Sequence, residues 1–254
     1  DVCSADLGTP IREFFREQDL VLGSKLIRQA EWPTHSANPF PERDRNLMPW
    51  NYHRVLTTRD NSLGAPEEWL APAHADLDVS MHAWMRKLGV SDAAIKMGYG
   101  INPSFGEDAH DVSALLLLFR GAFSKAQRER AVGAGIGYTV ENGVQRIPEA
   151  LAGALRHEVV LDCPAVAITE TRDALRVDCA DGSFVAAKRV ILAIPFGALR
   201  KLKLDPPLTG PQAEAVAELA SQPITQVYLG VRRPFWNDDG YAASLFTDSL
   251  PGMI

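Results

Sequence analysis

The dipeptide Asp181-Gly182 is the local feature that most restricts how this chain can fold. Runs of β-forming residues lie on both sides of it, at positions 165–170 and 174–179 before it and at 183–187 after it. Asp-Gly favours the tight turn of a β-hairpin, because both residues tolerate the positive φ angles that such a turn needs. The sequence therefore predicts a β-meander in this part of the chain.

Further strands and helices are predicted around the meander. Residues 189–194 form a continuous apolar run that ends at Pro195, which is typical of a strand covered on both faces. The other elements predicted for the second half are strands at 138–140, 158–161 and 226–231 and helices at 146–155 and 211–219.

The first half of the chain is predicted to consist of helices joined by long loops. Residues 32–50 contain four prolines and are predicted to form an irregular loop. The spacing of apolar residues predicts helices at 11–22, 78–88, 91–97 and 111–123. Helices followed by a β-rich block and a further helix predict an α/β or α+β fold in two layers.

Composition excludes several classes of protein. The net charge of −6 comes without a block of Lys or Arg, so we expect no nucleic-acid partner. The longest apolar run, 114–119, is far too short to cross a bilayer. Cys3, Cys163 and Cys179 are scattered and odd in number, so we interpret them as small buried thiols rather than a disulfide framework or a metal site. Localisation stays open between cytoplasm and periplasm.

Several segments occur in an order that is typical of one enzyme family. The segments are DVS at 78–80 with Trp84 and Gly89, YTVENGVQRIPEAL at 138–151, VVLDCPAVAI at 159–168, RVILAIP at 189–195, LDPPL at 204–208 and RPFW at 233–236. Together they resemble the flavin monoamine oxidase family, which includes monoamine, polyamine and L-amino-acid oxidases.

The resemblance implies FAD as cofactor and an FAD-binding domain built from separate pieces of the chain. It assigns residues 137–202 to the middle piece of that domain, 1–136 to a mainly helical part of the substrate-binding domain, and 203–254 to a helix and strands of the same substrate-binding domain. It also implies cofactor contacts for five residues, which are Ala165 (through its backbone, against the adenine ring), Ala193, Pro195, Trp236 and Gly143.

The family's dinucleotide fingerprint, a strand followed by GxGxxG and a helix, is not found in these 254 residues. We therefore expect the chain to be the central part of such an enzyme and inactive by itself. Its expected partners are a small amine or amino-acid substrate and the remaining polypeptide segments of the same enzyme. A homodimer is a further arrangement that the resemblance leaves open.

The resemblance implies hydride transfer from the α-carbon of a neutral amine to the flavin, which supplies the difficult chemistry. The six histidines are dispersed, and we expect most of them on the surface or in loops. Gln226 stands where family members commonly carry a lysine that holds a water near the flavin. An amide can hold a water but removes a positive charge, so we expect slow reoxidation by oxygen. An alternative of equal weight is that Gln226 is an ordinary polar residue on a half-buried strand.

Four residues are candidates for lining a substrate tunnel: Tyr99, Asn102, Phe105 and Phe119. Aromatic residues at such positions are more often part of a core, so that alternative stays open, as it does for Trp236. Two other classes of protein also stay open. One is a related flavoprotein, such as a carotenoid desaturase or protoporphyrinogen oxidase. The other is a non-catalytic chain that kept the fold and acts in binding or assembly.

Overall fold

A computed structural model describes residues 8–10, 18–106, 108–130, 138–140, 142–221, 224–227, 230–233, 235–238, 240, 242 and 244–249. The helices among these residues are α1 (Pro49–Arg59), α2 (Met81–Lys87), α3 (Asp92–Gly100), α4 (Ala114–Arg130), α5 (Arg146–Gly153), α6 (Phe196–Leu199) and α7 (Gly210–Glu218). The strands are β1 (Gly8–Pro10), β2 (Asp19–Leu22), β3 (Lys25–Ile27), β4 (Tyr138–Val140), β5 (Ala165–Glu170), β6 (Leu175–Cys179), β7 (Phe184–Ala187), β8 (Lys203–Asp205) and β9 (Leu245–Thr247).

The chain divides into two compact units. Of the described residues, those up to 144 and from 227 onward belong to the first unit, and residues 145–226 form the second. The first unit is mainly helical and the second contains the meander, so the mixed α/β (α+β) class predicted from the sequence is confirmed. The finer domain boundaries given above stay predictions. No helix among the described residues is both long and apolar enough to cross a membrane.

Helix α1 supplies one wall of the core of the helical unit. It begins at Pro49, and proline suits the first helical position because its missing N–H would have no partner there. Its buried residues Trp50, His53, Leu56 and Thr57 recur every three or four positions and so share one face. The prediction of an irregular loop over 32–50 is therefore wrong at positions 49–50, which belong to α1.

Two glycines allow α1 to pack closely against its neighbours. A Cβ atom built on Gly98 of α3 would lie 2.3 Å from Cδ1 of Tyr52. One built on Gly121 of α4 would lie 2.3 Å from the carbonyl oxygen of Thr57. Real Cβ atoms do not approach so closely, so any side chain at either position would force the helices apart.

Helices α2, α3 and α4 lie where the sequence predicted helices, at 78–88, 91–97 and 111–123. Ser80 and Ser91 cap α2 and α3, since their hydroxyls accept hydrogen bonds from the N–H groups of Ala83 at 3.1 Å and Ala94 at 3.3 Å. Helix α4 continues to Arg130, past the predicted end at 123.

A small mixed sheet replaces part of a predicted helix. Strand β2 pairs antiparallel with β3 and parallel with β9. The helix predicted for 11–22 is therefore wrong at positions 19–22, whereas 11–17 lie outside the described residues. Gly23 and Ser24 both have positive φ, of 52° and 66°, and this is the backbone geometry of a tight hairpin turn. This turn joins β2 to β3, and a hairpin therefore forms where a helix was predicted.

The second unit is built on a four-stranded sheet in the order β7-β6-β5-β8. Strands β5, β6 and β7 form the predicted antiparallel meander, and β8 adds parallel to β5. Gly182, with φ of 85°, lies in the turn between β6 and β7 and donates its N–H to the Cys179 carbonyl at 3.0 Å. The hairpin prediction and the helices near 146–155 and 211–219 are thus confirmed.

Three predicted strands are not formed among the described residues. Positions 158–161 and 189–194 are irregular, and so are the described positions of 226–231. A strand needs a partner for its backbone groups, and no described strand pairs with these segments. The apolar side chains of these segments are exposed to solvent, since Val160 is 74% and Ile191 is 91% exposed.

Cys163 and Cys179 form a disulfide, with Cα atoms 5.6 Å apart. Our interpretation of both as free thiols is therefore wrong. A spacing of 16 residues gives no sequence signal, and only the pairing of β5 with β6 brings the two sulfurs together. Closing a loop of this length stabilises the folded state by about 3 kcal/mol in the chain-entropy description.

Candidate functional site

A hydrogen-bonded group of side chains surrounds Tyr99, one of the residues predicted to line a substrate tunnel. Tyr99 lies on α3 and is only 1% exposed. Its hydroxyl donates to the carbonyl oxygen of Phe105 at 2.5 Å and accepts from the N–H of the same residue at 3.2 Å. These bonds fix the loop that follows α3, and burial raises the pKa of Tyr99.

His53 of α1 completes this group. Its Nδ1 lies 3.0 Å from the carbonyl oxygen of Gly98, and its Nε2 lies 2.7 Å from the hydroxyl of Ser104. Because a carbonyl can only accept, Nδ1 carries the proton and Nε2 accepts from Ser104. Burial lowers the pKa of His53 to about 4, so this imidazole is uncharged at neutral pH.

The four predicted substrate residues do not form one cluster. Phe105 is bonded to Tyr99, and its ring lies 5.6 Å from the guanidinium carbon of Arg120. Phe119 packs instead against Trp69, with ring centroids 4.9 Å apart. Asn102 is half-buried in the same loop as Phe105.

Ala165 lies at the exposed start of β5, opposite Cys179. The N–H of Ala180 donates to the carbonyl oxygen of Pro164 at 2.9 Å. In an antiparallel ladder consecutive residues bond in opposite directions, so the N–H and C=O of Ala165 point away from β6. Strand β8 pairs with β5 only from Ala167 onward, so those two groups lie outside the ladder on that edge as well.

The remaining predicted site residues are spread over both units. Ala193 and Pro195 are exposed, and Pro195 caps α6 by accepting the N–H of Leu199 at 2.9 Å. Gly143 lies in the exposed turn after β4, Trp236 packs edge-on against Phe235 in a short 3-10 helix, and Gln226 is exposed outside any strand.

The sequence reasoning missed His53, Ser104 and Arg120. We expected most histidines on the surface or in loops, and His53 is the buried exception. The available signal was helical spacing, because His53 lies three residues after Trp50 and three before Leu56. Ser104 and Arg120 carry no comparable local signal, since only packing of α1 beside α3 and α4 brings them close.

Comparison with known proteins identifies the class of protein. A family model described as flavin containing amine oxidoreductase matches residues 32–252. This match covers most of the chain and runs through both units. The chain therefore belongs to the flavin-containing amine oxidoreductase family, and the recognition made from the motifs is confirmed.

Individual relatives agree with this assignment. Putrescine oxidase of Kocuria rosea is 26% identical over 263 residues, which cover 95% of this chain and 53% of that protein. The flavin-containing amine oxidase B of Homo sapiens is 22% identical over 83% of this chain and 41% of its own length. L-amino-acid oxidase of Mus musculus is 32% identical over a shorter part, 39% of this chain and 16% of the relative.

Solved structures show the same fold. Wild-type putrescine oxidase bound to putrescine matches with a TM-score of 0.58 at 25% identity, over 92% of this chain and 53% of that one. Cyclohexylamine oxidase from Brevibacterium oxydans IH-35A matches with a TM-score of 0.62 at 17% identity, over 93% and 52%. This chain thus spans about half the length of the proteins that it resembles.

The buried, neutral His53 makes stability depend on pH. The unfolded chain binds a proton on this imidazole near pH 6.5, whereas the folded chain does so only near pH 4. The contribution of the neutral His53 to the free energy of unfolding is therefore fully present above pH 6.5. It is lost as the pH falls to 4, because the imidazole is protonated first in the unfolded state. We expect His53 to account for a loss of up to about 3 kcal/mol in the free energy of unfolding over this window.

Urea unfolding of the wild type, His53→Gln and His157→Gln at several pH values tests this expectation. His53→Gln should flatten the pH dependence between 6.5 and 4, and His157→Gln, at an exposed position, is the control for a histidine substitution outside the core. Equal slopes in the wild type and His53→Gln would show that the imidazole is not held neutral.

Proposed function

We propose that this chain forms the central part of an FAD-dependent oxidoreductase that oxidises the C–N bond of an amine or an amino acid. The observation that carries the proposal is the family match over residues 32–252, a range that includes residues of both units. Relatives named as oxidases of putrescine, of cyclohexylamine and of L-amino acids support this substrate class. When bound, FAD would accept the hydride that leaves the α-carbon of the substrate.

The second unit would hold the adenine end of the cofactor through the backbone of Ala165. A base edge needs a free N–H and C=O and a small neighbouring side chain, and Ala165 offers all three at an exposed strand end. A register shift between Ala165 and Ala167 interrupts the ladder at the same place. The residues present therefore fit an adenine ring. Gly143, Ala193, Pro195 and Trp236 are the other proposed FAD contacts.

The helical unit would supply the substrate side. Tyr99, Asn102, Phe105 and Phe119 are proposed to line the approach to the cofactor. The first three lie in α3 or the loop that follows it, whereas Phe119 lies on α4 next to Arg120, whose guanidinium contacts the Phe105 ring. Hydride transfer requires the neutral amine. An uncharged His53 beside Tyr99 is consistent with a substrate that arrives already deprotonated.

The remaining polypeptide segments of the enzyme are the proposed partners of the second unit. Among the described residues of this unit, the buried hydrophobic ones are Ile168, Cys179 and Leu199, whereas the apolar segments at 159–161 and 191–196 are exposed. Apolar surface of this extent normally marks a contact with further protein. The unpaired backbone at 189–194 would allow a further strand to add at this point.

The visible spectrum of the purified full-length protein tests the proposal directly. After reconstitution with FAD we expect flavin absorption bands, and anaerobic addition of an amine or L-amino acid should bleach them. The panel should contain primary amines, secondary amines, diamines and L-amino acids, with polyenes and porphyrinogens as rival substrates. Absence of flavin bands would favour a non-catalytic role, and bleaching by polyenes or porphyrinogens alone would favour a related flavoenzyme.

Substitution of Ala165 by proline should weaken FAD binding about tenfold, because it removes the N–H that the ladder leaves free. Fluorescence titration of the apoprotein with FAD measures the change. Ala165→Val is the matched control, since it keeps the backbone groups and should bind FAD within about twofold of the wild type. Equal weakening by both substitutions would contradict a backbone contact and indicate a side-chain or folding effect.

Gln226 is the proposed water-holding residue beside the flavin, where its amide would supply hydrogen bonds without a charge. We expect Gln226→Lys to raise the rate of reoxidation by oxygen about tenfold, equivalent to about 1.4 kcal/mol of activation free energy. Stopped-flow mixing of the reduced protein with oxygen measures this rate. Gln226→Met, which can supply neither charge nor a strong hydrogen bond, should not accelerate it; acceleration by both variants would exclude an electrostatic cause.

A further inference from the structure

A cavity of about 580 Å³ lies between α1 and α4 in the helical unit. Residues of α1 between 51 and 59 and residues of α4 between 117 and 128 line it, together with Ser104. The His53 imidazole borders the cavity and is already committed to Ser104 and Gly98. The cavity is large enough for a small organic molecule.

Arginine dominates the charge of this cavity. Arg54, Arg59, Arg120 and Arg128 line it, and no Asp or Glu is among its lining residues in the part of the chain that the structure describes. Arg59 is neutralised by Asp44 at 2.6 Å and by Asp60 at 2.9 Å. Arg54, Arg120 and Arg128 have no such carboxylate among the described residues, although the chain as a whole is acidic.

Arg54 of α1 and Arg120 of α4 line the same cavity, so two like charges face one space. Partial burial lowers the pKa of Arg54, and the charge of Arg120 lowers it further. The Phe105 ring covers one face of the Arg120 guanidinium, which leaves the N–H groups at its edge able to donate. Two guanidinium groups in one cavity, with no carboxylate beside them in the described part of the chain, are unfavourable alone, but an anion between them would remove the repulsion.

The donors around the cavity match one type of ligand. Guanidinium groups donate paired hydrogen bonds to the oxygens of carboxylates and phosphates. The hydroxyl of Ser124 adds a further donor on the α4 wall. We propose that this cavity binds a small oxyanion, either an organic carboxylate or a phosphate, between Arg54 and Arg120.

This proposal does not depend on FAD or on amine oxidation, because the cavity is formed by the helical unit alone. It assigns a second binding site to the protein, one that prefers an anion and not an amine. Arg128 would contribute attraction over a longer range, whereas Arg59 is held by its own carboxylates.

Isothermal titration of the full-length protein at low ionic strength tests the proposal, with sodium benzoate and inorganic phosphate as separate probes and sodium chloride as the ionic-strength control. We expect one of the two oxyanions to bind saturably, and chloride not to compete at the same concentration. Binding of benzoate alone would identify the carboxylate source, and binding of phosphate alone the phosphate source. Absence of saturable binding by both would overturn the proposal.

Variants locate the site. Arg54→Gln with Arg120→Gln should reduce the affinity at least tenfold, and Arg172→Gln, on an exposed loop of the other unit, should leave it unchanged. Arg54→Lys keeps the charge but loses the paired donors, so it should weaken binding by an intermediate factor. Circular dichroism checks that each variant is folded. If the double variant fails to fold, the affinity of Arg54→Lys decides whether the proposal holds. Unchanged affinity in a folded variant that lacks both guanidinium groups would overturn the assignment.

Discussion

The close packing of α1 against α3 and α4 is the constraint on which the helical unit depends. Gly98 and Gly121 allow this approach, since a methyl group at either position would lie 2.3 Å from Tyr52 or Thr57. The same approach places the Gly98 carbonyl 3.0 Å from Nδ1 of His53. Without it the imidazole would lose its acceptor, and a buried polar group without a partner is costly. The close helix contact and the neutral histidine are therefore one structural feature.

The second unit depends on backbone pairing more than on a buried core. Its four-stranded sheet buries Ile168 and Cys179, and the disulfide joins the segment before β5 to the end of β6. Because Cys163 lies two residues before Ala165, this covalent link restrains the exposed strand end that we propose for the adenine ring. The backbone position of Ala165 is thus fixed by the pairing of β5 with β6 and by the disulfide. This is consistent with a contact that uses backbone atoms and does not require a particular side chain.

Local signals in the sequence predicted local structure well, and pairings between distant segments poorly. The helix at 91–97 and the turn at Asp181-Gly182 were identified because their physical cause lies within a few neighbouring residues. Residues 189–194 have the composition of a buried strand but no partner among the described strands, and composition cannot supply one. The meander followed from the Asp181-Gly182 turn and the β-forming runs beside it, whereas the family and the flavin class followed from ordered motifs. The roles of the named site residues stay predictions, because they depend on contacts with groups outside this chain.

Two consecutive residues of α1 illustrate how one helix serves two environments. Successive side chains on an α-helix point about 100° apart, so His53 enters the core while Arg54 remains partly exposed at the cavity. Burial suppresses the charge of the imidazole, whereas a guanidinium keeps its charge at any physiological pH. The helical unit therefore keeps an uncharged group beside Tyr99 and a positive field in the cavity next to it. In the proposed enzyme a neutral amine would approach on the Tyr99 side, and in our further proposal an oxyanion would bind between the arginines.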